Sequence, residues 1–340
     1  MPGRLIKMKN KKAFEFSFGW LFALLIGAVI LFLAIYAVTN IVENLRLQKE
    51  TETGKDIGTL LTPAETTLEK DKYGPIEVKQ PTKIYNDCTL SGSFGSQLIG
   101  TKIKSGIGEA YREGDIIPSS FHNKYLFSSK EVPAREQFFL ISKPFEFPFK
   151  IADIMVLWSV EQPYCFVDII HAPYPIPRLG TDLTSLFASN LSFLNSIDNC
   201  PINSKKVCHS NNLNPKCDMT IYPDYVEKND KKLYYVYSTN EENEMALLMA
   251  AVFSDAETYD CQIQRLIKRA NNLATTYQKK IINLGRADLS CSFTRVTPLL
   301  NDYIRETNNL IKNNDLTFLH SIKSIAEDID DANPTTCPLF

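Results

Sequence analysis

Residues 17–38 read SFGWLFALLIGAVILFLAIYAV, 22 consecutive positions without a charged side chain. Wound into a helix rising 1.5 Å per residue, the run is about 33 Å long, which matches the roughly 30 Å hydrocarbon core of a bilayer. Trp20 and Tyr36 sit near its two ends, where amphipathic rings anchor at the membrane–water interface. A cleaved signal peptide is the competing reading. Its apolar region should be about 7–15 residues long and end in small residues of the A-x-A kind. This run is longer, and Ala37-Val38-Thr39 fits such a site poorly, so an uncleaved anchor is expected.

The flanks give the run a direction. Arg4, Lys7, Lys9, Lys11 and Lys12 precede it, with no acid before Glu15. After it, Glu43, Arg46, Lys49, Glu50, Glu52 and Lys55 roughly cancel. The excess of lysine and arginine on one side places the basic arm, residues 1–16, in the cytoplasm. The span is 17–38, and everything from about residue 40 onward is expected outside the cell membrane. The arm is a topology determinant with a minor attraction to anionic headgroups.

Ala13-Phe14-Glu15-Phe16, followed by Phe18-Gly19-Trp20 and the apolar run, resembles the N-terminal helix of archaeal type IV pilin-like proteins. In that family a basic stretch precedes a short box around a glutamate, and a peptidase cuts before the helix. The resemblance implies a subunit whose glutamate helps set register in a filament. It covers about 30 residues, mainly 11–38. The chain departs from the pattern because cleavage at Lys12-Ala13 would leave Glu15 nearer the mature N-terminus than the usual fifth position. The ectodomain, with its late helical region and eight cysteines, is also similar to uncharacterised single-pass archaeal surface proteins, a likeness that carries no activity with it.

Cysteine usage agrees with the topology. Cys88, Cys165, Cys200, Cys208, Cys217, Cys261, Cys291 and Cys337 all follow the apolar run, and none precedes it. An even number in an oxidising compartment reads as up to four disulfides. Proximity favours a bridge within Cys200, Cys208 and Cys217, and a second is expected between Cys261 and Cys291. The rival is a metal site using Cys200, Cys208, His209 and Cys217. Zinc ligands usually come in closer pairs than these gaps allow, so disulfides are preferred and neither metal nor cofactor is expected. A net charge of −2 argues against a nucleic-acid partner, which would require a basic patch.

The chain beyond the span falls into three parts. Residues 39–81 read as a juxtamembrane helix and polar stalk, with Ile41, Val42 and Leu45 on one stripe and a capping box at Thr62-Pro63-Ala64-Glu65 that predicts a short helix near 63–70. Residues 82–240 read as mainly β. Strands are expected at 137–141, 145–150, 154–159, 164–170, 219–222 and 233–238, where aromatic and β-branched residues cluster between turn formers. A helix is expected over 181–199. Phe145, Phe147 and Phe149 alternate with Glu146 and Pro148, so they form one face of a strand that Pro148 confines to an edge. That face is a sheet core in the simpler reading and a stacking platform in the sharper one. The glycine-rich stretch from Gly92 to Gly114 lacks the phosphate-loop and dinucleotide patterns and reads as turns and bulges.

From 241 to 340 the apolar spacing becomes helical. Met245–Val252 form one segment, and Ser254-Asp255-Ala256-Glu257 fits a capping box. Ile263, Leu266, Ala270, Leu273, Tyr277, Ile281 and Leu284 follow at steps of three and four, with Gly285 as the stop. Thr297-Pro298 opens a further helix carrying Leu300, Ile304 and Ile311, and a last one carries Leu319, Ile322, Ile325 and Ile329. The whole is an α+β protein: a single N-terminal transmembrane helix, a stalk, a mainly β region and a C-terminal antiparallel helical region packed on it.

No catalytic motif stands in the chain. His122, His171, His209 and His320 lie outside metal-protease, nucleophile-elbow and triad spacings. Asp328, Asp330 and Asp331 read as solvated charge at a helix end. Asn190-Leu191-Ser192 is a glycosylation sequon that matters only if exposed. The expected function is therefore that of a membrane-anchored extracytoplasmic protein with a structural or binding role at the cell surface. A pilin-like filament subunit is the first alternative. An extracytoplasmic hydrolase, whose site would be a cleft gathering a histidine or paired carboxylates, is the second.

Overall fold

The computed structural model describes residues 18–60, 72–104, 111, 116–172, 176–185, 190–211, 214–237, 245–287, 291–335 and 337–340. The Ala13–Phe16 box and the short helix expected near 63–70 lie outside the described residues. The chain divides into two units, Met1–Lys49 and Glu50–Phe340.

Helix α1 runs Phe18–Leu60. Through the first unit its apolar side chains, among them Trp20, Phe22, Leu25, Ile30, Phe32 and Tyr36, are exposed. By length and composition α1 contains one stretch apolar enough to cross a membrane, and none of that stretch is buried within the protein. A surface so apolar and so unburied needs a partner other than water.

The last turns of α1 belong to the second unit and correct the expectation of a polar stalk. Glu50, Gly54 and Ile57 recur at steps of four and three, and all three are buried. The Glu50 carbonyl accepts from Thr101 Oγ1 at 2.7 Å. Gly54 brings the helix backbone so close to a strand that an added Cβ would stand 3.4 Å from the Ile99 carbonyl. The stalk assignment also fails at Lys72–Glu77, which is strand β1.

Three sheets follow. Strands β2 (Thr82–Thr89), β3 (Ser96–Ile103), β4 (Ser119–Phe121) and β6 (Glu131–Ala134) form an antiparallel sheet in the order β4-β3-β2-β6. Gly95, at φ 63°, immediately precedes β3 in a conformation that other residues seldom adopt, and a Cβ there would meet the Thr89 carbonyl at 2.3 Å. Strands β1, β5 (Tyr125–Phe127), β7 (Gln137–Glu146) and β8 (Lys150–Ser159) make the central sheet, ordered β1-β7-β8-β5. Strands β5, β7 and β8 are buried on both faces, which is why they read as nearly unbroken apolar runs. Phe138, Leu140, Met155 and Leu157 point into a core shared with Ile57, Ile84, Ile99 and Val132. Phe139, Ile141, Ile154, Val156 and Trp158 point the other way, into the larger core.

The third sheet is mixed, in the order β10-β9-β11-β12-β13-β14. It comprises β9 (Tyr164–Val167), β10 (Leu191–Leu194), β11 (Lys205–His209), β12 (Met219–Ile221), β13 (Tyr225–Lys228) and β14 (Lys231–Tyr234). Strands β9 and β10 pair in parallel, so the chain must cross over between them. Helix α2 (Ile176–Ser185) supplies that crossover, which replaces the single helix expected over 181–199. The β13–β14 hairpin turns on Asn229 and Asp230, both at positive φ, as a two-residue hairpin requires.

Four helices complete the second unit: α3 (Ala246–Phe253), α4 (Ala256–Ala287), α5 (Val296–Asn313) and α6 (Leu319–Ala332). Every residue of α3 is buried, as an all-apolar helix too short to span a bilayer must be. Ile263, Leu266, Ala270, Leu300, Leu319, Ile322 and Ile329 enter the same large core. Two boundary expectations change. Ser254 Oγ is buried without a hydrogen-bond partner, so the capping box is not made, and Asp255 instead accepts from Lys130 N at 2.6 Å. Gly285 lies inside α4, two residues before its end.

The expected strand 145–150 is also corrected. Glu146 ends β7, Lys150 begins β8, and Phe147-Pro148 form the turn between them through a cis peptide bond. Phe145, Phe147 and Phe149 are nevertheless all buried, so the alternation reports core packing.

Candidate functional site

The eight cysteines form four disulfides: Cys88–Cys261, Cys165–Cys200, Cys208–Cys217 and Cys291–Cys337. The expected Cys261–Cys291 bridge is not formed, because the Cα of Cys261 on α4 lies 6.1 Å from that of Cys88 on β2. Cys200, Cys208 and Cys217 are consumed by disulfides, so they do not make a thiolate quartet with His209. Among the described residues, no group of three or more His, Cys, Asp or Glu side chains is placed to hold a metal ion.

A cavity of about 530 Å³ opens where the β7–β8 turn meets α4 and the end of α6. Glu146, Pro148, Phe149 and Lys150 contribute from the turn, Tyr277 from α4, Asp330 and Asn333 from the end of α6, and Phe340 from the segment beyond it. Three rings make its aromatic side. Phe149 and Tyr277 have centroids 4.8 Å apart at 44°, Phe149 and Phe340 5.7 Å at 72°, and Tyr277 and Phe340 5.6 Å at 65°. Tyr303 holds the turn from behind by donating its hydroxyl to the Phe147 carbonyl at 2.6 Å. The segment carrying Phe340 is fixed by Cys291–Cys337, by Leu339 N donating to Asn333 Oδ1 at 2.8 Å, and by Lys280 Nζ donating to the Leu339 carbonyl at 2.5 Å.

Glu146, Lys150, Asp330 and Asn333 make the polar side of the cavity. Burial, Asp331 and Glu146, in that order, push the Asp330 carboxyl above its ordinary pKa. A carboxylate is thus held near others of the same sign in partly desolvated surroundings. Asp330, which the sequence presents as a solvated helix end, is the residue of the aspartate run that faces this cavity.

Two other polar clusters stand in the second unit. Lys205 Nζ lies 3.3 Å from Ser129 Oγ and 3.4 Å from Tyr164 OH. Nearby, Lys228 Nζ donates to the Val252 and Ser254 carbonyls at the C-terminal end of α3, the latter at 2.9 Å. A cation there complements the helix dipole. Burial lowers both lysines. Lys228, which also faces the charge of Lys205, falls to about 7. The second cluster centres on Asp168, whose φ is 52°. His171 Nδ1 is 2.6 Å from Asp168 Oδ1, and buried His209 Nε2 is 3.9 Å from Asp168 Oδ2. His209 Nδ1 accepts from Asn211 N at 3.3 Å, and the buried Nε2 makes no hydrogen bond.

His122 contacts the Gly95 carbonyl at 3.2 Å, and His320 lies 4.0 Å from Asp224. None of the four histidines lines the cavity. Asn190 is buried, accepts from Trp158 Nε1 at 3.2 Å and donates to the Ser159 carbonyl at 2.8 Å, so the sequon asparagine is a packing residue. Sequence reasoning missed the cavity because its walls come from positions 146 to 340 and no local motif joins them. Comparison with protein-family models, with curated proteins and with solved structures finds no match for this chain.

Proposed function

We propose that the protein is anchored by α1 in the cell membrane, with its disulfide-stabilised second unit outside, and that it serves there as a structural or binding component of the surface. The observation that carries this reading is the combination of one long unburied apolar helix with eight cysteines, all after that helix and all paired. Disulfides persist in oxidising compartments and are rare where thiols are kept reduced. The basic residues before the helix support a cytoplasmic N-terminus on the same grounds.

Alkylation of native protein, followed by non-reducing peptide mapping, tests the reading. Four bridged peptide pairs and no labelled thiol are expected. Eight alkylated cysteines would place the large unit in a reducing compartment and overturn it. Protease applied to intact cells should remove the second unit and leave the residues around α1 protected.

A second reading, an extracytoplasmic hydrolase, draws support from Glu146 and Asp330, two carboxylates that line one cavity. Hydrolysis of glycoside or ester substrates that is abolished by Glu146→Gln would support it. No turnover over a broad panel would dismiss it.

A further inference from the structure

Ser129 stands two residues past β5, Lys205 opens β11 and Tyr164 opens β9. The three side chains meet, with Lys205 Nζ 3.3 Å from Ser129 Oγ and 3.4 Å from Tyr164 OH. We propose that Ser129 and Lys205 form a nucleophile–base pair that cleaves carboxylic esters. None of these residues lines the cavity at the β7–β8 turn. The proposal adds an activity to the anchored reading without depending on it, so its failure would leave that reading intact.

The backbone around Ser129 is fixed on both sides. Ser128 Oγ accepts from Asn86 Nδ2 at 2.7 Å and donates to the Ser129 carbonyl at 2.8 Å. Lys130 N donates to Asp255 Oδ2 at 2.6 Å, and Asp255 N donates to the Ser128 carbonyl at 3.3 Å. Lys205 pairs in register with Tyr164, and its N–H donates to the Pro163 carbonyl at 2.8 Å. Nucleophile and base are therefore carried on anchored segments, and contacts of this kind tighten further when substrate binds.

A lysine serves as a base only if it gives up its proton readily, and the surroundings of Lys205 favour that. Burial lowers its pKa, opposed by Asp255 at the start of α4 and Asp218 before β12, neither of which hydrogen-bonds to it. Lys228, itself lowered to about 7 by burial and by the charge of Lys205, faces it from the end of β13. The hydrogen-bond partners of Lys205 are hydroxyls, and burial keeps that of Tyr164 neutral. Lys228, by contrast, gives its protons to two carbonyls, which cannot act as nucleophiles. Ser129 is 7% exposed and Lys205 half-buried, an opening that suits a slender acyl chain.

In the reaction, the free amine of Lys205 takes the Ser129 Oγ proton as Oγ bonds to the ester carbonyl carbon. The bond from that carbon to the alcohol oxygen breaks, and the Lys205 ammonium returns the proton to the departing alcohol. Water then attacks the acyl-serine, again losing its proton to Lys205, and releases the carboxylic acid with Ser129 restored.

The test is labelling of the full chain in polyoxyethylene micelles with a fluorophosphonate, which a nucleophilic serine captures with loss of fluoride, followed by peptide mapping. Hydrolysis of p-nitrophenyl butyrate is read in parallel. Label on Ser129 that increases with pH is expected. Ester hydrolysis should be abolished by Ser129→Ala and lowered roughly a hundredfold or more by Lys205→Met, the range of a lost general base. Lys206→Met, on the opposite face of β11, should leave both readouts unchanged. Mapping the label on the unaltered protein needs no variant, so a misfolded Lys205→Met still leaves the proposal open to refutation. The proposal is overturned if Ser129 takes no label up to about pH 10, the ordinary range of a free lysine, or if a folded Lys205→Met is labelled as fast as the parent. Hydrolysis that survives Ser129→Ala but is lost in Glu146→Gln would also overturn it and would assign the activity to the cavity at the β7–β8 turn.

Discussion

Cys88 on β2 and Cys261 on α4 stand 173 residues apart in the chain and 6.1 Å apart between Cα atoms. Their bridge ties the β2–β3 sheet to the long helix, beside a buried polar network. Asn86 Nδ2 donates to Ser128 Oγ at 2.7 Å, and Gln97 bonds to both Asn86 and Gln262. On the entropic account the stabilisation grows with the loop closed, to about 5 kcal/mol here against about 3 kcal/mol for the short Cys208–Cys217 loop. Replacing Cys88 and Cys261 together by serine should therefore lower the thermal midpoint more than replacing Cys208 and Cys217. Calorimetric melts of the two double variants decide it, and the reverse order would show that the long bridge is dispensable.

Arg265 is fully buried among carbonyl oxygens. It donates to those of Lys124 at 2.8 Å, His122 at 2.9 Å and Phe94 at 3.2 Å, to Gln262 Oε1 at 2.7 Å, and packs 4.7 Å over the ring of Tyr125. Burial lowers its pKa to about 10, so it stays charged in the physiological range. Arg265→Met would strand these acceptors without water. A loss of about 3–5 kcal/mol is expected in urea titrations, while Arg265→Lys should retain only part of the stability because a point cation cannot reproduce the fork.

Asn190 tests the sequon. Its side chain joins Trp158, Ser159 and Gln162 across the start of the β9–β10 pairing. Asn190→Ala should cost about 2–3 kcal/mol through partners left unpaired. Mass spectrometry of protein made in a glycosylating host should find Asn190 unmodified. A glycan there would contradict the buried placement.

Lys228 and Asp260 give opposite pH signatures. Burial, with the nearby charge of Lys205, lowers Lys228 from 10.5 to about 7. Below pH 7 the lysine is charged in both folded and unfolded chains, and the cost of enclosing that charge is fully present. Between about 7 and 10 only the unfolded chain keeps the proton, so this group makes stability rise with pH. Burial raises Asp260 from 3.8 to about 6. Between those values the folded chain holds more protons, so its contribution falls as pH rises. Lys228→Met should flatten the alkaline rise and Asp260→Asn the acidic fall, read from thermal midpoints across pH 4–10.

Much of the helical half could be read locally. Steps of three and four from Ile263 to Leu284 and from Leu319 to Ile329 mark the core faces that the structure buries. Strands β7 and β8 were visible as apolar runs. Which face each residue serves was not visible, because a strand buried on both sides shows no alternation. The turn at Phe147-Pro148 read as strand for a related reason: its phenylalanines keep the alternating spacing while the chain reverses. The cavity was not legible. Asp330 looks like ordinary helix-end charge until Glu146, nearly two hundred positions earlier, is placed beside it.

The sequence by itself determined the long apolar helix, the placement of every cysteine after it and the order of β and then helical segments, since each follows from local composition and period. Only the tertiary structure decided which cysteines pair, that the turns of α1 from Glu50 to Ile57 pack against β3, and that Glu146, Tyr277 and Asp330 share one cavity. Those relationships join residues far apart in the chain, and their geometry is fixed by how the sheets and helices of the second unit pack on the two cores that flank the central sheet.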